Sequence, residues 1–481
     1  MNQEKTQPRT GRARHTVIVS DLHLWQAAPP CGSWMRYRQR DLFPDRELTA
    51  LTATLERSIA PGDLELVLAG DVLDFDVPAV QGGEVAREVA PADEAGTLRV
   101  VGGILDDHAE VWTALARLIL RGDRVVLLAG NHDLPLVFEG VRALVRERLV
   151  AAAARLAAGP VDVARIARGV VFRAWFHRTD AGVHVEHGSQ YDTYCAVAYP
   201  MTPALPASGG LPPTMGSLAM RELVAKLGFF NPNVDSTFLL TARGYFQHWV
   251  RYYAFTRRSL VLTWLAGSLR IAFGLAVRRE ADDPARVARD VAAAAAETGC
   301  DVATIEAHRA LFDRPSLGRV ARLLALDRLG LAVGLLLAIA IAVGAKAVAV
   351  GVLIAIATTA GAIALRVSSG AHELDAGYDR IERTQREIAR LHDARAVVFG
   401  HTHVPEGAWD EAGVFFGNSG TWAPTFADVA CTEPLRHGSP FVWLRDEGEL
   451  AGGLYRFVDG RVEPVAARIG ARGLRTPRAA A

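Results

Sequence analysis

Five short clusters of aspartate, histidine and asparagine recur along the chain, and four of them directly follow an apolar run typical of a buried strand. Carboxylate, imidazole and amide oxygen are ligands for divalent cations, and no cysteine stands among them. Open α/β sheets bind ligands at the carboxyl ends of their strands, so clusters at successive strand ends of one sheet predict a metal site. The clusters are Asp21-Leu-His23, Gly70-Asp71, Gly130-Asn131-His132-Asp133, Glu186-His187-Gly188 and Gly400-His401-Thr402-His403.

This donor set suits chemistry at phosphorus. Two cations about 3.5 to 4 Å apart need a bridging carboxylate, and they clamp the attacking and leaving oxygens of a displacement. Their charge also lowers the pKa of a bound water, which makes hydroxide available at neutral pH. Without thiolate, the ligands favour two Mn ions, with Fe, Mg or Zn as alternatives.

The order of the five clusters resembles that of the calcineurin-like metallophosphoesterase superfamily, over residues 15–190 and 394–425. The resemblance implies a four-layer α/β/β/α sandwich with a dinuclear metal centre. It also implies a role for each residue of the clusters. Asp21, His23 and His403 would bind the first metal, Asn131, His187 and His401 the second, and Asp71 both; His132 would sit over the phosphate, to stabilise charge or protonate the leaving oxygen, with Asp133 as its orienting partner.

Three neighbouring features each have two interpretations. The run 417–422, Gly-Asn-Ser-Gly-Thr-Trp, forms either an anion-binding nest of backbone NH groups or a plain turn. Asp74 reaches the metal shell or is a surface aspartate. Gln190, Tyr191 and Asp192 line the substrate entrance or simply begin the next segment.

The elements that must position these residues alternate between buried strands and amphipathic helices, which predicts an α/β fold. A loop rich in proline, glycine and acids is expected at 78–97. The predicted strands are 15–20, 64–69, 124–129, 170–176, 183–186, 394–399, 414–416, 441–444 and 454–458, and the predicted helices are 45–57, 106–121, 139–156 and 287–298.

The alternation stops after residue 190 and resumes two hundred residues later, which indicates a large insertion. We expect a first part of the phosphoesterase domain at 15–190, a helical, membrane-associated insertion at 191–392, and a second part of the domain at 393–466. The Arg/Gly/Ala-rich end, 467–481, is expected to be disordered.

Within the insertion, 329–345 and 347–365 carry no charge and are separated by Lys346. Both halves lie near the short end of the length that crosses a bilayer, so the run predicts a transmembrane hairpin; a buried helical hairpin in a soluble domain is the alternative. Arginines flank both outer ends and place them in the cytoplasm. These arginines are Arg319, Arg322, Arg328 and Arg366.

A further apolar segment, 259–277, contains Arg270 near its middle, which is costly at a bilayer centre. Because both halves of the domain must lie on one side of the membrane, an even number of crossings is required. We therefore expect 259–277 to lie on the membrane surface, and the catalytic domain to face the cytoplasm at the inner membrane.

Composition sets the remaining limits. Lysine and arginine number 53 against 53 acids, so no overall field attracts nucleic acid, and none is expected as a partner. Four scattered cysteines without a CxxC pair argue against a disulfide framework and favour a reducing compartment. The start of the chain is polar and basic, unlike a secretory signal. A mean hydropathy of +0.14 indicates that apolar residues are concentrated in one segment.

The clusters are most similar to the UDP-2,3-diacylglucosamine hydrolase branch, which inserts a helical lid after the block that contains His187. That similarity implies a lipid-borne pyrophosphate as substrate. The chain differs in having His132 where the branch usually has arginine, and in its longer insertion. A phosphodiesterase or protein phosphatase for soluble substrates with a membrane anchor, and a metal-binding scaffold without turnover, are the alternatives. The oligomeric state is left open.

Overall fold

The computed structural model describes residues 13–30, 35–228 apart from 87, 283–313, 380–426 apart from 382, 431, 433–435 and 438–465, with isolated positions between 247 and 273. The predicted hairpin at 329–365 and the predicted disordered end at 467–481 lie outside these residues, as does most of 259–277. None of the helices in the described ranges combines the length and apolarity needed to cross a membrane.

The described residues form a mixed α/β structure with two large sheets and one small one. The seven-stranded sheet contains β1 (His15–Val19), β2 (Leu64–Ala69), β5 (Arg124–Leu128), β6 (Val170–Arg173), β12 (Ser439–Asp446), β13 (Leu450–Val458) and β14 (Arg461–Pro464). The five-stranded sheet contains β7 (Phe176–Arg178), β8 (Val183–Glu186), β9 (Ala396–Phe399), β10 (Glu406–Trp409) and β11 (Phe415–Asn418), and β3 (Val80–Gln81) pairs with β4 (Glu84–Val85).

The strand order brings the carboxyl ends of the functional strands together. The first sheet runs β14-β13-β12-β1-β2-β5-β6, and β1, β2, β5 and β6 are parallel. The second runs β10-β11-β9-β8-β7, with β8 and β9 parallel. Parallel neighbours end at the same edge of a sheet, so the residues that follow them converge there.

The clusters follow strands of two sheets and not successive strands of one sheet, which corrects where the sequence placed them. The predicted strand 170–176 is in fact two strands, because β6 ends at Arg173 and β7 begins at Phe176 in the other sheet. Strand β7 pairs with one edge of β8 in antiparallel orientation, and β9 pairs with the other edge of β8 in parallel. Strand β8 therefore belongs to the five-stranded sheet and does not pair with β6. A two-residue connection, Ala174 and Trp175, therefore carries the chain from one sheet to the other.

Alternation along the strands explains how both faces of each sheet become buried. Leu66 and Leu68 of β2 pack into a core with the helices, whereas Val67 packs into a second core that contains residues of both sheets. In the five-stranded sheet, Val398 joins this second core and Val397 packs against Ile388 on its other face. Strands buried on both faces are continuous apolar runs, as the sequence shows.

The helices confirm most predicted segments, with one correction. The predicted helix 106–121 is two helices, and the first begins at Glu94, inside the predicted loop. Asp93 explains this start, because its side chain accepts a hydrogen bond from Gly96 N and caps the helix. The helices are α1 (Asp45–Ser58), α2 (Glu94–Asp107), α3 (Ala109–Leu120), α4 (Glu139–Leu156), α5 (Val163–Gly169), α6 (Met215–Ala219), α7 (Ala225–Leu227), α8 (Pro284–Thr298) and α9 (Val302–Arg309).

Candidate metal centre

The backbone at the candidate site is held in an uncommon conformation. Five residues of the clusters have positive φ angles between 44° and 68°, the left-handed region that non-glycine residues rarely adopt. Each such residue costs on the order of 1 kcal/mol or more, and persists only where its surroundings fix it. The contacts described below provide that fixation. The five residues are Asp21, His23, Asp71, His401 and His403.

The first group of side chains forms around Asp21. His403 Nε2 lies 3.2 Å from Asp21 Oδ1, and His23 Nε2 lies 3.3 Å from His403 Nε2. Asp21 and His23 are buried, and His23 Nε2 lies 4.0 Å from the same oxygen, Asp21 Oδ1. A buried carboxylate oxygen that faces two imidazole nitrogens is a suitable environment for a divalent cation.

The second group forms around His187. Its Nε2 lies 3.2 Å from Asp71 Oδ2 and 3.1 Å from Asn131 Oδ1. The ring of His401 lies beside it, with the two ring centroids 5.2 Å apart. Because Asp71 Oδ2 is also 3.9 Å from His23 Nε2, this carboxylate stands between the two groups. The structure therefore brings together all seven residues that the sequence predicted as ligands.

The outer nitrogens of three histidines have hydrogen-bonding partners. His23 Nδ1 lies 3.0 Å from Asp74 Oδ2, and His187 Nδ1 lies 3.0 Å from the carbonyl oxygen of Ala69. His401 Nε2 lies 2.9 Å from Asp192 Oδ2. An imidazole that donates one N–H outward presents the other nitrogen's lone pair inward, as metal-binding histidines do.

These partners decide two interpretations left open by the sequence. Asp74 is fully buried beside His23, so it is not a surface aspartate. Asp192 contacts His401, whereas Tyr191 is fully buried and so does not line an entrance. Gln190 accepts a hydrogen bond from Val197 N at its Oε1 and lines a small pocket beside His187. The contact of Asp192 with a ligand was not predicted, because nothing in its local sequence distinguishes it from any acid in a turn.

The pKa shifts of the site residues, taken without a metal ion, reflect the negative charge that is concentrated in the site. Burial disfavours the charged form of Asp71, but the imidazoles of His187 and His132 hold its pKa well below the usual value. Burial likewise lowers the pKa of His187, yet Asp71 and Asp21 more than reverse this and raise it to about 9. Protons on histidine balance the buried carboxylates, and divalent cations would do so in their place.

His132 lies beside the first group, and its side chain is 14% exposed. Its Nδ1 is 3.4 Å from Asp74 Oδ2 and 3.5 Å from Asp76 Oδ2, and its ring centroid is 4.9 Å from that of His23. The carboxylates that face its Nδ1 are therefore those of Asp74 and Asp76, and not Asp133 as predicted.

Asp133 instead fixes the backbone of the loops that carry the candidate ligands Asp71 and Asn131. Its carboxylate accepts hydrogen bonds from the amides of Gly130, Asp71, Val72 and Leu73. These four bonds hold the turn after β2 against the turn after β5. Asp133 thus acts on the ligands through the backbone.

The run 417–422 has its amides engaged within the protein. Ser419 N donates to the carbonyl of Phe399, Gly420 N to Asn418 Oδ1, and Trp422 N to the carbonyl of Asp21. These contacts favour the interpretation as a turn that anchors the loops, and not as an anion-binding nest.

Comparison with known proteins adds no name to this site. No protein-family model matches the chain, and no curated protein matches it significantly.

Proposed function

We propose that the protein is a metal-dependent phosphoesterase of the calcineurin-like type, with a dinuclear centre in a four-layer α/β/β/α domain. The single observation that carries the proposal is Asp71, whose Oδ2 lies 3.2 Å from His187 Nε2 and 3.9 Å from His23 Nε2, between the two groups. A shared carboxylate between two His-rich groups is the arrangement that a pair of divalent cations needs. Apolar cores lie on both faces of the two large sheets, as expected for sheets packed between layers, and this supports the layered arrangement.

The residues divide the chemistry among them. Two divalent cations, Mn in this proposal with Fe, Mg or Zn as alternatives, would supply Lewis-acid charge and activate water for attack at phosphorus. Asp71 would hold both ions in register. His132 is partly exposed beside the groups, so its imidazole can hydrogen-bond a phosphoryl oxygen or deliver a proton to the leaving oxygen. Asp74 and Asp76 would keep that imidazole oriented and protonated.

The substitution Asp71→Asn tests the bridging role. Asn keeps the oxygen that accepts a hydrogen bond from His132 N at 2.8 Å, but it removes the negative charge between the groups. We expect Mn-dependent hydrolysis of bis-p-nitrophenyl phosphate by detergent-solubilised protein to fall by orders of magnitude while the protein stays folded. Asp123→Asn, a buried aspartate at the opposite end of β5, is the matched control. Full activity of Asp71→Asn would refute the bridging role.

We also propose that the insertion tethers the domain to the cytoplasmic face of the inner membrane. Asp313 and Arg380, which flank the segment 314–379, form an ion pair of 2.8 Å, so both flanks lie at one place on the domain. Such an arrangement suits a hairpin that leaves and returns on one side. Deletion of 329–365 should release the protein from membranes; if the intact protein already fractionates as soluble, the tether hypothesis fails.

A tethered site suits a lipid-linked pyrophosphate substrate. A panel of a simple diester, a nucleotide and lipid pyrophosphates of different acyl length, assayed with Mn, tests this proposal. Activity that rises with acyl length supports the lipid substrate, and activity independent of it supports a soluble phosphoester or phosphoprotein. Mn binding without hydrolysis of any substrate would indicate a scaffold.

A further inference from the structure

A second cluster of polar side chains is buried behind the end of β8. Glu186, which is 1% exposed, lies at its centre. Its Oε1 lies 2.6 Å from His184 Nε2 and 2.8 Å from His308 Nε2. Its Oε2 accepts hydrogen bonds from Tyr191 Oη at 2.8 Å and from Trp175 Nε1 at 3.3 Å. Four donors around one carboxylate offset the large cost of burying its charge.

The cluster has ligand types that also suit a metal, but its hydrogen bonds account for it. An ionised carboxylate accepts about four hydrogen bonds, and Glu186 has four donors from the protein. We therefore interpret the cluster as a hydrogen-bonded clamp, defined by Trp175, His184, Glu186, Tyr191, His308 and His392.

The clamp joins the insertion to the two strands that end in ligands of the second metal. His308 belongs to α9, within the insertion, and its Nδ1 lies 2.9 Å from His392 Nε2. His392 ends the helical residues that lead into β9, which is paired in parallel with β8. Strand β8 is followed by His187 and β9 by His401. The imidazole of His308 therefore contacts Glu186 at the carboxyl end of β8 and His392 ahead of the start of β9.

We propose that His308 is a positioning residue for the second metal position, because its contact with Glu186 holds the carboxyl end of β8 and so the backbone that carries His187. This inference rests on the dinuclear centre proposed above. Glu186 is covalently adjacent to His187, so displacement of its carboxylate moves that ligand directly. The first metal position, around Asp21, has no described contact with the clamp.

The variant His308→Phe tests the role of these hydrogen bonds. Phe keeps an aromatic ring against Trp175 and Phe176, whose centroids lie 4.6 and 5.3 Å from that of His308. It makes none of the three polar contacts of His308, which are with Glu186, Tyr191 and His392. Loss of a group that bonds a metal ligand directly typically weakens metal binding by about 10- to 100-fold. His308 acts on His187 through Glu186, so we expect the low end of this range, about 10-fold. Calorimetric titration of the detergent-solubilised full chain should show this loss of Mn affinity at one of two sites. The dissociation constant of the other site should change by less than twofold.

Three variants make the result specific. His401→Ala identifies which Mn constant belongs to the second position. His308→Gln should restore binding, because an amide can donate to Glu186 and accept from His392. His108→Phe removes an equally buried histidine that bonds Asp45 and the Trp25 carbonyl, and should lower the melting temperature without changing either constant.

The proposal is overturned if His308→Phe leaves both constants within twofold of wild type, or weakens both sites equally. If that variant does not fold, His392→Phe replaces it, because it keeps His308 and removes the hydrogen bond that orients its imidazole toward Glu186. The same selective loss is expected, and unchanged constants overturn the proposal. Wild-type protein that fails to bind two Mn ions would instead defeat the dinuclear centre.

Discussion

The close approach of the loops after β2 and β5 gives a prediction at Gly130. A Cβ added there would lie 2.6 Å from Asp71 N and 2.9 Å from Asp71 Cγ, and closer still to Asp71 Oδ1. Ordinary contacts need about 3.4 Å or more, so the loop carrying Asp71 must shift by roughly 0.5 to 1 Å. The φ angle of Gly130 is not positive, so the effect of Gly130→Ala is steric.

We expect Gly130→Ala to destabilise the fold by about 1 to 3 kcal/mol, the range typical of overpacking. Displacement of a bridging ligand by this distance should lower Mn-dependent turnover by about 100-fold and weaken Mn binding. Phosphodiester hydrolysis, Mn titration and thermal denaturation measure these effects. The matched control is Gly102→Ala in α2, where an added Cβ meets no atom within 4 Å and should stabilise the helix slightly. Wild-type Mn affinity and turnover in Gly130→Ala would refute the close approach of these loops.

Two further predictions concern buried aspartates. Asp133→Asn would place an NH2 group against backbone amides that now donate to a carboxylate, and should lower stability by about 3 kcal/mol in denaturant unfolding; an unchanged midpoint would contradict this. For Asp290 in α8, burial raises the pKa to about 6 although Thr202 donates to it. A raised folded-state pKa means that this group stabilises the fold at low pH and that the contribution is lost as pH rises through about 6. Asp290→Asn should therefore gain about 2 kcal/mol relative to wild type between pH 4 and pH 7, and a constant difference across that range would contradict the assignment.

The sequence predicted the strands that carry the candidate site because each one is an apolar run that stops at a polar cluster. The predictions for β1, β2, β5, β8 and β9 agree with the structure to within two residues at each end. Helix boundaries were less accurate where local signals conflict. The glycines at 102 and 103 weakened the helical pattern of α2, and the cap at Asp93 lies inside a loop-like stretch.

The residue types and their order along the chain determined the candidate ligands, since the chemistry of carboxylates and imidazoles is local. Which sheet each ligand joins depended on tertiary structure, because the switch at Ala174 and Trp175 has no separate hydrophobic pattern. The partners of the ligands likewise came only from the fold. Asp192 reaches His401 across 209 positions, and His308 reaches Glu186 from inside the insertion. Contacts over such separations depend on strand pairing and packing, and no local periodicity encodes them.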